Sequence, residues 1–215
     1  SFHDPTLKKL GRIHRAKDSV RAIELLRKQG LEYLNIDMMY AVPGQKLQEW
    51  EQDLTAASQQ DVDEITCYPT LITPQALFYE KVRKGELEPQ PSKREFKRMI
   101  MATYHILEPA GFDSVEIYGF SRKEGWKYAT VNYELEGPLL AFGSGAVGFT
   151  GRYEYVNTHS PVEYVRAVKK GRFPVAGGRW VEERERIARY VACRLFVCKK
   201  LRYSDFERTF GIPFG

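Results

Sequence analysis

NIDMMYAVPGQ, residues 35 to 45, runs as a strand into a Pro-Gly turn and carries one aspartate, Asp37, among residues suited to burial. A carboxylate in a buried strand is costly unless something pairs with it. Asp37 is therefore either a satisfied structural group or part of a site. The longer segment LEYLNIDMMY, residues 31 to 40, alternates too little for a half-exposed strand, which suits a strand of a parallel sheet covered on both faces.

Working outward, residues 1 to 15 read as a loop ending in LKKLGRIHR. A helix follows from Asp18 or Ser19, with Val20, Ile23 and Leu26 in period and Gly30 as its stop. Beyond the turn, Leu47, Trp50, Leu54 and Ala57 repeat at helical spacing, and DVDE leads into ITCYPTLI, a second strand. Helix, strand, turn, helix, strand is the rhythm of a βα-repeat protein, whose site lies at the C-terminal strand ends.

The linker GELEPQP precedes a capping box, Ser92 with Glu95, and a helix carrying Phe96, Ile100, Thr103 and Leu107 that stops at Gly111. FDSVEIYGF reads as one strand. An apolar, glycine-rich run, LLAFGSGAVGF, leads to RYEYVN, another strand. Ser160, Pro161 and Glu163 open a short helix, and residues 181 to 200 form a helix with Ile187, Val191, Leu195 and Cys198 on one face. The predicted organisation is three parts: residues 1–90, 91–180 and 181–215.

At 215 residues and 43% apolar composition, the chain can bury a sizeable core. It contains no apolar run long enough to span a bilayer and its N-terminus has no apolar core of a signal peptide, so the expectation is a cytoplasmic protein with no membrane partner. Cys67, Cys193 and Cys198 form no C-x-x-C pair and read as ordinary thiols. The net charge of +5 is uneven, because acidic residues dominate only between residues 31 and 92. No basic stripe is interleaved with aromatic platforms, which argues against nucleic acid; a basic cleft serves an anionic small molecule equally well. The AFGSGA run opens no helix with a G-x-G-x-x-G pattern and is not a nucleotide loop.

Taken in order, LGRIH, NIDMMYAVPGQ, a helix with a tryptophan, ITCYPTLI, GFDSVEIYGF, an NY pair and FGSGA resemble the radical S-adenosylmethionine (SAM) family of oxygen-independent coproporphyrinogen III oxidases and haem chaperones. The resemblance covers almost the whole chain. It implies an α/β fold: the C-terminal part of an incomplete TIM-like barrel, an α+β extension, and the start of a helical C-terminal domain. The family holds a [4Fe–4S] cluster on a C-x-x-x-C-x-x-C motif upstream of the matched positions. That motif does not occur in this sequence, so the expectation is an internal portion of a longer enzyme, inactive alone, whose cluster takes electrons from a separate donor.

The resemblance also implies roles. Arg12 matches an arginine that pairs with the SAM carboxylate, a task suited to a planar fork that is always charged. Asp37 matches a carboxylate that accepts from the ribose hydroxyls, and backbone groups at Met39 and Leu71 match those lining the adenine. On the substrate side, Glu116 and Tyr118 are expected on one strand face, followed by Asn132, Tyr133 and the close-approach glycines Gly143 and Gly145. Arg122, Lys123 and Lys127 are candidates for receiving propionates.

Three functions follow from the resemblance. The first is oxidative decarboxylation of the propionates of a porphyrinogen, an anionic tetrapyrrole, by a 5′-deoxyadenosyl radical in haem biosynthesis. A haem chaperone is the second; in that branch a histidine-asparagine pair precedes N-Y-W, whereas residues 128–134 read YATVNYE, with Ala129 in the histidine position. His105 and His159 remain as other candidate haem ligands. The third is a relative that transfers methyl groups, forms cyclopropanes or opens haem. Outside the enzyme class stands a non-catalytic binding domain.

Overall fold

The computed structural model describes residues 1–72, 77–123, 138–196 and 200–214. Asn132, Tyr133, Lys127, Ala129 and Cys198 lie outside them. The chain divides into two compact units, Ser1–Trp126 and Lys127–Gly215. The division falls inside the segment 91–180 that the sequence reading treats as one extension.

The first unit begins with helices α1 (Asp4–Lys9) and α2 (Ala16–Lys28), then β1 (Asn35–Tyr40), α3 (Leu47–Ser58) and β2 (Glu64–Pro69). Helices α4 (Leu77–Arg83) and α5 (Lys93–Leu107) follow, then β3 (Asp113–Ser114) and β4 (Gly119–Ser121). The sheet runs β1-β2-β4-β3. Strands β1 and β2 are parallel in the register Asp37 to Thr66, as a βα repeat requires, whereas β4 runs antiparallel to β2. The parallel pattern therefore ends at β2.

Strands β1 and β2 are two-faced. Met38, Tyr40, Ile65 and Cys67 are buried in the core with Trp50, Leu54, Met99, Leu107, Phe112 and Phe120. Trp50 is fully buried on α3, and its indole N–H donates to the Met99 carbonyl (3.2 Å) and to the Thr103 hydroxyl (3.1 Å) on α5. This pairing of α3 with α5 places α5 in the first unit, past the expected boundary at residue 90. The other face carries Asn35, Asp37, Glu64 and Thr66, because alternate residues of a strand point the same way. The expectation of a strand covered on both faces is thus corrected: the second face carries polar groups, and Asp37 is exposed.

Local elements also differ from the sequence reading: α2 starts at Ala16 rather than at Asp18 or Ser19, and α4 stands where no helix was expected. Residues 4–9 form a helix where a loop was expected, and FDSVEIYGF is not one strand but two short antiparallel ones joined by a turn. In that turn the Val115 N–H donates to the Gly119 carbonyl (3.0 Å), and the Glu116 side chain packs where a Gly119 Cβ would stand. Glu116 and Tyr118 therefore occupy a turn rather than one strand face.

The β1–α3 connection is a type II turn. Gln45 N–H donates to the Val42 carbonyl (2.8 Å), with Pro43 second and Gly44, at φ +69°, third. Ala41, at φ +55°, is the one non-glycine residue with positive φ among those described. The Gln90 side-chain amide holds the turn by donating to the Ala41 (3.0 Å) and Thr70 (2.7 Å) carbonyls, clipping the ends of β1 and β2 together.

The second unit is an antiparallel sheet of β5 (Val147–Phe149), β6 (Tyr153–Asn157) and β7 (Val175–Trp180), with α6 (Pro161–Lys169), α7 (Glu183–Phe196) and α8 (Tyr203–Phe210). Ser160 caps α6 by accepting from the Glu163 N–H (3.3 Å), as its sequence predicts. On α7 the buried position is Tyr190, which meets Phe206 and Phe210, while Leu195 is 57% exposed. The face predicted around Leu195 is corrected accordingly. Strand β7 and helix α8 were not predicted; a run with two adjacent glycines, VAGGRW, carries little strand propensity.

Candidate functional site

The LGR of LGRIH is the C-terminal cap of α1. The Gly11 N–H donates to the Lys8 carbonyl (3.0 Å) and the Arg12 N–H to the Leu7 carbonyl (2.9 Å), with Gly11 at φ +68°. This paired bonding is a Schellman motif, which needs a left-handed residue at Gly11's position. It reverses the chain just before Arg12. Leu7, 2% exposed, anchors the helix that carries the cap.

Arg12 and Asp37 line one cavity of about 380 Å³. Its apolar wall comes from Phe2, Leu7 and the α2 residues Ala22, Ile23 and Leu26; its floor is Leu34 and β1 as far as Met39. Ligand pockets of this kind span roughly 300 to 1,000 Å³ and combine apolar walls with a few placed polar groups. Both charged side chains are exposed to the cavity and solvent, so neither carries the cost of a buried, unpaired charge. The question posed by a carboxylate on β1 is resolved by its face: Asp37 points away from the core that holds Met38 and Tyr40.

Met39 lines the same cavity. Leu71 does not; it is 79% exposed and borders a separate depression of about 270 Å³ at the ends of β1 and β2, with Ala41, Thr70 and Gln90. Sequence reasoning left out His14, Ser19 and Asn35, which also line the cavity. The signal for Asn35 was present, since it stands two residues before Asp37 on a strand.

A polar ladder continues from Asp37 across the sheet. The Asn35 amide donates to Asp37 (3.4 Å), and the Thr66 hydroxyl lies 3.2 Å from the Asn35 carbonyl oxygen and 3.3 Å from Glu64. Glu64 is buried and accepts from the Tyr33 hydroxyl. Burial, with the Glu64 carboxylate, pushes that phenol up to about 12.

On the substrate side, two of the expected cations are already engaged. Arg122 donates to the Ser58 (2.6 Å) and Gln60 (3.2 Å) carbonyls at the end of α3 and lies 4.0 Å over the Phe112 ring. Lys123 pairs with Asp63 at 2.7 Å. Both contacts tie the segment after β4 to the rest of the first unit. Glu116 is buried, and Tyr118 meets the Tyr68 ring edge-on at 6.4 Å.

Gly143 and Gly145 sit in the turn before β5, at φ +97° and +72°. The Gly143 N–H donates to the Tyr164 hydroxyl (2.9 Å), and its carbonyl accepts from the Asn157 amide (3.0 Å). Gly145 passes against His159, whose ring nitrogen would stand 3.0 Å from a Cβ. The backbone conformation accounts for both glycines.

No protein-family model matches the sequence. Among curated proteins, the chain is 28% identical to the haem chaperone HemW of Bacillus subtilis over 189 residues, covering 87% of this chain and 49% of that protein. It is 30% identical to HemW of Haemophilus influenzae over 148 residues, 69% of this chain and 37% of that protein. Among solved structures, the radical SAM coproporphyrinogen III oxidase HemN of Escherichia coli matches with a TM-score of 0.81 at 17% identity, over 98% of this chain and 51% of that one. The chain belongs by sequence to the HemW-like group. It spans about half the length, or less, of these proteins. The fold is the mixed α/β fold of HemN.

Among the described residues, the two cysteines do not supply the three thiolates of an iron–sulfur cluster. Cys67 lies in the core of the first unit, where burial, then the Asp53 charge, pushes its thiol far above the ordinary range, and Cys193 lies in the second unit. Among the described residues, no three His, Cys, Asp or Glu side chains gather to hold a metal. The cavity of Arg12 and Asp37, in contrast, has the charges and apolar wall that a nucleoside amino acid requires. No helix among the described residues is long and apolar enough to cross a membrane.

Proposed function

We propose that this chain forms the SAM-holding wall of a radical SAM enzyme that acts on an anionic tetrapyrrole of the coproporphyrinogen class. The observation that carries the reading is the convergence of Arg12 and Asp37 on one cavity. Arg12 would hold the amino-acid carboxylate of SAM, Asp37 the ribose hydroxyls, and the backbone at Met39 the adenine edge. Leu71 would reach the adenine only from the neighbouring depression. Bound SAM supplies the radical chemistry; the chain's own residues bind, orient and shield it.

The test is binding to the full-length protein, measured with S-adenosylhomocysteine, which keeps the ribose and amino acid of SAM. Asp37→Ala is expected to weaken it by about 1 to 2 kcal/mol, because an exposed carboxylate exchanges its hydrogen bonds with water. Arg12→Ala is expected to do the same. Unchanged affinity in both variants would remove the cavity from the site.

A second reading, haem carriage, is favoured by the names of the curated relatives, which are haem chaperones. Against it stands Ala129, in the position where that branch carries a histidine. Anaerobic release of CO₂ from coproporphyrinogen III supports the enzyme; stoichiometric haem uptake without SAM consumption supports the carrier.

A further inference from the structure

We propose that Asn35 is a positioning residue for the nucleoside, aiming the Asp37 carboxylate at the ribose hydroxyls; this rests on the SAM reading of the cavity. Asn35 and Asp37 share a face of β1, and Thr66 stands directly across the parallel register from Asp37 on β2. The Asn35 amide nitrogen lies 3.4 Å from one Asp37 oxygen, and its carbonyl oxygen lies 3.2 Å from the Thr66 hydroxyl.

The orientation of the Asn35 amide follows from the chemistry of its neighbours. An ionised carboxylate only accepts hydrogen bonds, so the NH₂ group must face Asp37. The carbonyl oxygen then faces Thr66, whose hydroxyl can donate. Reversal would set two acceptors against each other at Asp37. The single Thr66 hydroxyl proton has two acceptors in reach, the Asn35 side-chain oxygen at 3.2 Å and the buried Glu64 carboxylate at 3.3 Å, so the donor that holds Asn35 is shared with Glu64.

Asp37 therefore has one oxygen tethered from β1, which leaves the other for the cavity. A single exposed carboxylate samples several rotamers, and a tether narrows them before the ligand arrives. Pre-organisation of this kind raises affinity by reducing what must be ordered on binding. The effect should appear only for ligands that use the carboxylate.

The experiment titrates the full-length protein with S-adenosylhomocysteine and with its 2′,3′-dideoxy analogue, which lacks both ribose hydroxyls. Asn35→Ala is expected to weaken S-adenosylhomocysteine by about 3- to 10-fold, the range of one modest hydrogen bond, and to leave the analogue within about twofold of its wild-type affinity on the same reasoning. Thr66→Val, which removes the donor to Asn35 and keeps the side-chain shape, is expected to weaken S-adenosylhomocysteine in the same selective way by a smaller factor. Equal weakening of both ligands, or no weakening of either, overturns the proposal. Asp37→Ala separates this from the underlying reading: if it weakens S-adenosylhomocysteine while Asn35→Ala does not, only the tether is refuted. If neither variant changes binding, the cavity assignment falls as well.

Discussion

Asp63→Asn tests how the cavity wall is held. Asp63 precedes β2 and is 6% exposed. One of its oxygens accepts from the Leu34 N–H (2.7 Å) and from Arg27 on α2 (2.8 Å); the other meets Lys123 (2.7 Å). Burial alone would push the carboxyl up, but Lys123, the Leu34 N–H and Arg27 outweigh it and hold the group below its usual range. Asparagine can keep one oxygen for Leu34 and Arg27, but its NH₂ then faces Lys123. Lys123 is half exposed and swings away, so it contributes at most about 1 kcal/mol. Loss of the Asp63 charge beside Arg27, which retains the Asp61 carboxylate (3.3 Å) and the Asp61 and Leu31 carbonyls, adds about 1 to 2 kcal/mol. The total is about 1 to 3 kcal/mol. The assay is urea denaturation at neutral pH, with hydrogen exchange of the β1 and β2 amides reporting on the first unit. Because the native carboxyl is held low, its contribution is complete above the unfolded-state value of about 4 and disappears as pH falls through the native one. The gap between wild type and variant should be flat from pH 7 to 5 and narrow in acid. A gap under about 0.5 kcal/mol at pH 7, far below the cost of breaking a buried charge pair, or one that persists in strong acid, would refute the reasoning.

Three further outcomes follow from the geometry. Gly11→Ala should cost about 1 to 2 kcal/mol by left-handed strain alone, because no heavy atom lies within 4 Å of the added Cβ. Gly11→Asn should cost less; equal costs in thermal denaturation would exclude a dihedral origin. Gln90→Ala frees the Ala41 and Thr70 carbonyls and should cost about 1 to 3 kcal/mol, read as faster amide exchange at the ends of β1 and β2. Asn157→Ala, at a residue 1% exposed whose amide donates to the Ala141 and Gly143 carbonyls, should lower stability by a similar amount and loosen the turn before β5. Unchanged exchange at Gly143 and Gly145 would contradict that role.

The sequence by itself determined the elements whose signals are local. Trp50, Leu54 and Ala57 specify one buried face of α3 at helical spacing, and Ser92 with Glu95 marks the start of α5, because a capping box satisfies backbone donors within four residues. Asp37 and Arg12 were legible through the words that surround them. What only the tertiary structure decided is which side each group faces and what already occupies it. A strand's two faces differ by what packs on them: α3 and α5 cover Met38 and Tyr40, which leaves Asp37 to the cavity and Asn35 beside it. The surplus charge of Arg122 and Lys123 is invisible as structure until the end of α3 and Asp63 are folded against them. Helix α1 escaped because six residues carry too little periodicity, and its glycine acquires meaning only when the Leu7 and Lys8 carbonyls come within reach. Contacts between residues far apart in the chain settled which face Asp37 presents and what Arg122 and Lys123 hold, and no local pattern encodes those two points.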